Sequence, residues 1–460
     1  MADVTISFDA WKEGNVAPSR DRISVVAPKS RLVLDEISSR LKQSLVHPNR
    51  GAGLAGIRFL ADGRRLIAGD YPGGVIQLWD VASGQQLTKI ETGYGYRSTS
   101  DYFFLSPDWK TIFSSREKRK PTRIEKEGQQ RILWEFEGEV RAWDLATGEL
   151  RDSIQQTPMR GIRWMTLSPD GSTCMLGEEL PGEAEGAPHR AASLLDLKTR
   201  RFRQLPGHLS VIATFSPDSR TIAIEEHTAD DDSYAAAVKL FDVPTGNVIR
   251  SLPVTEKFAR VGWTRFSPSG DLLVTTHQVF PEKHVWKQWT ACLKFWDVQT
   301  GSEVGTFDLD EEESGFGSVV FSPDGKTLAA TRWRGAKSQL FLFAAGDKRL
   351  MHTVTLGGKA ITRDAVFSPD GRWIAVVTQV FPEELENDSE PSAEDVPQPR
   401  VHLVEVKTGL VRETLFVPQA FTASLCFSPD GKTLATGGYG RVDLWDFTRP
   451  PGQADAASDD

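Results

Sequence analysis

The chain has 460 residues, of which 39% are hydrophobic and 25% charged, a balance that suits a soluble, folded protein. Its net charge of −9 disfavours a general grip on nucleic acid, which needs clustered Lys and Arg against phosphates. No run of about 18 apolar residues occurs, so no membrane-spanning helix is expected. The three cysteines, Cys174, Cys292 and Cys426, are far apart and form no CxxC pair, which argues against a zinc or redox motif and for a reducing, cytoplasmic setting.

The chain opens on MADVTISFDAWKEG, which lacks the basic start and apolar run of a signal peptide. Residues 1–39 read as an N-terminal extension. The stretch from Arg40 to Val46 is expected to be a strand that pairs with the last repeat. A helix over 31–46 is the rival reading, since Leu34, Ile37, Leu41 and Leu45 recur at helical spacing.

From there to residue 448 one pattern repeats. A turn string reads FLADG at 59–63, LSPDW at 105–109, LSPDG at 167–171, FSPDS at 215–219 and FSPSG at 266–270, then FSPDG at 321–325, 367–371 and 427–431. A second string follows each: LWDVASG (78–84), AWDLATG (142–148), LLDLKTR (194–200), LFDVPTG (240–246), FWDVQTG (295–301), LFLFAAG (340–346), LVEVKTG (403–409) and LWDFTRP (444–450). Pro presets φ for a turn, Ser or Asp bonds the local backbone, and Gly tolerates positive φ. The flanking segments alternate apolar and polar as strands do, for example from Lys326 to Thr331. Each unit is therefore a four-stranded antiparallel meander: turn, second strand, third strand with a large residue, Asp-x-x-Thr-Gly turn, fourth strand. The last unit stops after its third strand. The Arg40 segment is expected to supply the missing fourth one and close the ring, which leaves only short, protected edges. Residues 449–460 read as a disordered acidic tail.

These units resemble WD40 repeats, with Trp-Asp at 79–80, 143–144, 296–297 and 445–446. The resemblance spans residues 40–448. It implies an all-β fold, a closed β-propeller of eight four-stranded blades, with seven blades and one unit set aside as the alternative. The chain resembles bacterial-type WD40-repeat proteins, in which near-identical FSPDGK units are common. The family's Gly-His step is found only at Gly207-His208, where the third strand carries Phe241 rather than Trp. Stability is therefore expected to lean on Trp79, Trp143, Phe241, Trp296 and Trp445 packing between blades.

In a meander the strand 1–2 and 3–4 turns share one face, here uniformly short. The strand 2–3 connections share the other and carry nearly all the length variation, at 116–137, 178–191, 226–237, 277–291, 331–338 and 379–400. Insertions on one face of a repeat protein mark the expected binding face. Candidate binding residues there are Arg119 and Lys120 in a basic stretch, Phe280, Trp286 and Trp289 in blade 5, Trp333 and Arg334 in blade 6, Phe381 in blade 7, and Tyr439. QVFPE recurs at 278–282 and 379–383 at equal offsets from its FSP motif, which places Phe280 and Phe381 two blades apart at equivalent spots. Arg and aromatic residues are common interface anchors; the competing reading is that such aromatics pack their loops down.

No GxSxG, GxxxxGK[ST] or HExxH motif occurs, and the run from Asp230 to Asp232 lacks the ligand spacing of an EF-hand. No catalytic residue, metal or cofactor is expected. The expected function is a non-enzymatic scaffold, a monomer that binds a protein or peptide, with neither nucleic acid nor membrane as partner. Two alternatives stand beside it: a lactonase-like hydrolase with a metal or substrate at the channel mouth, and a self-associating module.

Overall fold

The computed structural model describes residues 40–46, 53–71, 74–92, 103–126, 129–155, 161–179, 190–228, 231–283, 288–309, 311–333, 337–358, 360–380, 398–418 and 422–451. Among them the strands form eight four-stranded antiparallel sheets, each a simple meander. The eight inner strands are Gly53–Phe59, Phe104–Leu105, Gly161–Leu167, Leu209–Phe215, Ala259–Phe266, Phe316–Phe321, Ala360–Phe367 and Thr422–Phe427. Seven blades are contiguous in sequence. The eighth is completed by Leu41–Val46, which pairs antiparallel with Arg441–Asp446 from Leu41↔Trp445 to Val46↔Arg441. The fold is thus an eight-bladed propeller closed by the N-terminal strand, and the helical reading of 41–46 gives way to this pairing.

Closure is tied by Arg40, whose side chain is 2% exposed. Its Nε donates to Glu413 Oε1 at 2.6 Å, in the outer strand of blade 7. Its NH groups donate to the carbonyls of Asp446, Arg449 and Pro450 at 2.8, 3.0 and 3.1 Å. The guanidinium also sits 5.4 Å from the centre of the Phe447 ring. One buried cation therefore joins the start of the ring to its end.

The third-strand aromatics fill the gaps between blades. Trp79 packs with Leu45, Ala435, Val442 and Leu444 of blade 8. Trp143 packs with Ile67, Ile76 and Leu78 of blade 1. Phe241 packs with Met175 and Leu194 of blade 3, Trp296 with Val238 and Leu240 of blade 4, and Trp445 with Val401 and Leu403 of blade 7. In every case the partner is the preceding blade. Truncating such a residue to Ala costs about 3–5 kcal/mol.

In blade 6 the residue at this position is Phe343, which pairs with Leu328. The string at 340–346 is therefore out of step with its neighbours by two residues. The left-handed position of that turn falls on Lys348 (φ 60°), not on Gly346.

The turns work as their residues predict. In blade 8, Ser428 Oγ donates to Asp430 Oδ1, and Asp430 accepts from Lys432 N at 3.0 Å. At the other turn type, Asp80 accepts from the Ser83 N–H and hydroxyl at 2.8 Å. These bonds hold the Asp80 carboxyl below the usual carboxylate range. Turns of adjacent blades also touch each other. A Cβ added at Gly171 would lie 2.5 Å from Pro107 Cδ of the blade before. Blade 1 has Ala61 where most turns have Pro, and blade 2 has Trp109 (φ 57°) where most have Gly. Trp109 is partly buried against the cluster that contains Leu60.

Candidate binding face

The strand 2–3 connections all emerge on the face opposite these tight turns. Two of them are not loops. In blade 2, Thr111–Lys126 pairs with Gln129–Asp144 in unbroken register from Thr111↔Asp144 to Lys126↔Gln129. In blade 4, Thr221–Thr228 pairs with Asp231–Asp242. The expected loops at 116–137 and 226–237 are therefore mostly hairpin. Lys and Glu have weak strand preference, so the pattern hides a ladder that backbone pairing sustains. Second strands of the other blades run 6 to 8 residues against 16 in blade 2. At about 3.3 Å per residue, the blade 2 arm projects roughly 30 Å beyond the ring.

Arg119 and Lys120 lie in this arm, at the pairs Arg119↔Phe136 and Lys120↔Glu135. Trp333 is half-buried, with its N–H bonded to Gly315 O, and packs against the blade 5–6 core. Tyr439 is 37% exposed at the loop-rich end of blade 8, and its backbone bridges to Gly53 of blade 1. Phe280 and Trp289 depart from the expectation of open anchors. They are 6% and 8% exposed and belong to one cluster with Tyr234, Leu309 and Phe341. Phe280 meets Tyr234 edge-on at 6.3 Å and lies 5.7 Å from the Arg260 guanidinium. Burying large rings outweighs exposing them, so both pack the long connection down instead of presenting it. Trp286, Arg334 and Phe381 lie outside the described residues.

Beneath this face runs a buried polar layer. Asp70, Glu178, Glu225, His277, Arg332 and Thr378 are each at most 6% exposed. They occupy the last part of the second strands, where an apolar strand turns polar before reaching solvent. Glu225 Oε1 accepts from Val261 N of the next blade at 3.0 Å. Arg332 pairs with Glu311 at 2.8 Å. In blade 5, Lys294 Nζ sits 2.7 Å from Glu256 and 3.4 Å from Glu303. Burial opposes the charge on Lys294, but the two carboxylates outweigh it and raise its pKa above the usual lysine value. His277 is a strand residue, not a loop residue: it pairs with Cys292, and its Nε2 lies 2.7 Å from Thr275 Oγ1. Burial pushes its pKa down to about 4. Such groups tie blade to blade and hold the connections of the face in place. Among the described residues no group of three or more His, Cys, Asp or Glu is arranged to hold a metal ion.

A family model described as WD domain, G-beta repeat matches residues 419–446, which contain three strands of blade 8. The crystal structure of the C-terminal WD40 domain of Sif2 matches over 89% of this chain and 99% of that domain, with a TM-score of 0.57 and 12% identity. The protein is an eight-bladed β-propeller whose last blade is similar to the WD domain, G-beta repeat. At that identity the Sif2 domain speaks for the fold alone. A search of curated proteins returned no match.

Proposed function

We propose that this propeller is a non-enzymatic scaffold that binds a protein or peptide on the face carrying the strand 2–3 connections. One observation carries the reading. Both long hairpins emerge on that face, whereas the opposite face is a ring of near-identical tight turns packed Pro against Gly. A uniform surface offers little to distinguish one partner from another. Projecting elements on a rigid ring supply both reach and specificity.

The test is site-specific photo-crosslinking in lysate of the source organism. A crosslinking residue at Trp333 or Tyr439 reports the loop-rich face, and one at Thr147 or Thr300 reports the turn face. The reading expects a shared protein partner trapped from the first two positions only. The same partner trapped only from Thr147 and Thr300 would reverse the assignment of the face.

A further inference from the structure

On each fourth strand one position stands beside the strand 3–4 turn of the next blade. In blade 1 it is Thr88, which pairs with Leu78 just ahead of Trp79, and the same register recurs in every blade. In five blades the side chain there reaches a carbonyl of that turn. Thr88 Oγ1 donates to Ala146 O at 3.0 Å. Arg203 donates to Val243 O at 3.2 Å and to Pro244 O, and Arg250 donates to Gln299 O at 2.9 and 3.1 Å. The Gln43 amide, with its nitrogen toward the turn, donates to Val81 O at 3.0 Å and accepts from Gly84 N at 3.2 Å. His352 Nε2 lies 3.1 Å from Lys407 O. In all five, the turn that is reached has a left-handed Gly four residues after its Asp or Glu. That Gly leaves room for the incoming side chain: a Cβ at Gly409 would lie 2.7 Å from His352 Cγ, and one at Gly148 would lie 3.0 Å from Thr88 Cγ2.

The other three blades have no donor at this position, and the contact is made from the opposite side of the joint. Blade 2 has Asp152, and Arg200 stands where the next turn would have its Gly; the guanidinium donates to Asp152 Oδ2 at 2.7 Å. Blade 5 has Gly305, and Lys348 takes the Gly place in the next turn. A Cβ added at Gly305 would lie 3.3 Å from Lys348 Cβ, so a small residue on one side accommodates a large one on the other. Arg200 and Lys348 hold φ of 58° and 60°, a conformation that favours Gly and that a side chain adopts only at a cost. Blade 7 has Glu413, and the next turn has Pro450 at the Gly place, which brings no cation. Arg40 brings one from the other end of the chain and donates to Glu413 Oε1 at 2.6 Å.

We propose that these contacts form a belt of latches around the rim of the turn face, in which the pair at each joint is matched and fixes which blade follows which. Eight units with near-identical turns otherwise offer little to tell one joint from another, and repeat arrays misassemble when neighbours are interchangeable. A blade carrying Asp152 fits a follower with Arg200, whereas one carrying Arg203 fits a follower with Gly246. The left-handed Arg200 and Lys348 are thus explained by the blade that precedes them and not by their own turn. Arg40 is the latch of the joint that closes the ring. The belt concerns assembly of the ring and holds whichever face takes a partner.

The test converts one kind of latch into the other in the full chain. Asp152→Arg sets two guanidiniums against each other at the joint of blades 2 and 3 and is expected to lower the thermal midpoint by about 2 °C. Adding Arg200→Gly reproduces the arrangement of Arg203 over Gly246 and is expected to restore the parent midpoint. At the joint of blades 5 and 6, Gly305→Arg meets Lys348, and adding Lys348→Gly is expected to recover most of the loss. Arg200→Gly and Lys348→Gly alone complete the two cycles. A Gly substitution that shifts the midpoint equally in the parent and in the Asp152→Arg or Gly305→Arg background, at either joint, overturns the proposal, because the two residues then do not act as a pair. Hydrogen exchange locates the effect: protection of Leu150–Gln155 and Arg201–Gln204 should fall with Asp152→Arg and return with the double substitution. A midpoint that recovers without protection returning there also overturns it, since the rescue then arises elsewhere.

Discussion

The indole N–H of Trp296 donates to Thr275 Oγ1 at 2.8 Å, across two buried strands of blade 5. Trp143 does the same with Ser114 at 2.9 Å, and Trp445 with Thr436 at 3.1 Å. In each blade the hydroxyl stands two residues beyond the partner of the Trp on the second strand. Blade 4 has Phe241 on the third strand, and at the corresponding place it has Ile224, with no hydroxyl. The hydroxyl accompanies the indole because a buried indole N–H needs an acceptor. Blade 1 departs from the rule, with Ala68 at the corresponding place below Trp79.

This coupling predicts unequal costs for swapping the aromatic. Trp296→Phe strips the indole N–H from Thr275, which keeps His277 as a partner, and is expected to cost on the order of 1 kcal/mol beyond lost packing. Phe241→Trp buries an N–H against Ile224 and is expected to destabilise more, despite adding apolar area. Adding Ile224→Thr to Phe241→Trp should recover part of that loss. Denaturant titrations of the three variants decide it, and additive behaviour of the pair would refute the coupling.

Removing the Arg40 side chain should loosen ring closure. Arg40→Ala leaves three carbonyls and Glu413 without their shared donor, and breaking a buried pair in this way costs about 3–5 kcal/mol. Arg40→Lys is expected to recover little, because an ammonium cannot reproduce the forked geometry. Hydrogen exchange should show the loss first at Leu41–Val46 and Arg441–Asp446. Unchanged protection there would mean that strand pairing alone closes the ring.

Stability should fall on mild acidification. Burial pushes the pKa of both His277 and His402 down to about 4. In the unfolded chain each takes a proton near pH 6.5. Below that pH the unfolded state binds more protons than the folded one, so the folded state loses stability as pH drops from about 6.5 to about 4. The full contribution is present above 6.5. Each histidine contributes a slope of about 1.4 kcal/mol per pH unit in that window. His402 bridges Thr378 and Thr414 at 2.9 and 3.1 Å, so His402→Gln is expected to lower stability at pH 7.5 while flattening the slope. Denaturation midpoints at several pH values would show this. A slope that is the same with and without both histidines would place the acid sensitivity elsewhere.

Two glycines of the tight turns should respond differently to the same substitution. Gly171 and Gly270 have similar φ, 73° and 78°. A Cβ at Gly171 would meet Pro107 Cδ at 2.5 Å, whereas one at Gly270 would stand 3.5 Å from Pro217 Cδ. Gly270→Ala carries only the cost of the left-handed backbone, about 1 kcal/mol. Gly171→Ala adds a clash between blades and is expected to lower the thermal midpoint further. Equal midpoints would show that the blade 2–3 contact yields freely.

Much of this architecture is written locally. Ser-Pro-Asp-Gly and Asp-x-x-Thr-Gly announce their turns because the groups that stabilise them lie within five residues, and eight copies announce eight blades. The incomplete last unit and the position of the Arg40–Val46 stretch ahead of the first blade point to ring closure. The long connections were harder. A charged stretch such as 116–126 reads as loop because side-chain type favours water, while its ladder depends on a partner strand. Phe280 and Trp289 read as exposed anchors because a sequence shows that a connection is long and not where it lies.

The repeat, its turns, its eight units and the two-faced distribution of its insertions are legible in the sequence, because they follow from local backbone preference and hydrophobic alternation. Only the tertiary structure decided the roles of residues whose partners are remote. Arg40 acts on groups 373 to 410 positions away. Glu225 reaches the next blade, and Phe280 joins a core shared by three blades. Burial and hydrogen bonding at those places are set when the ring closes and separate blades share one interface, a condition that no local window of residues contains.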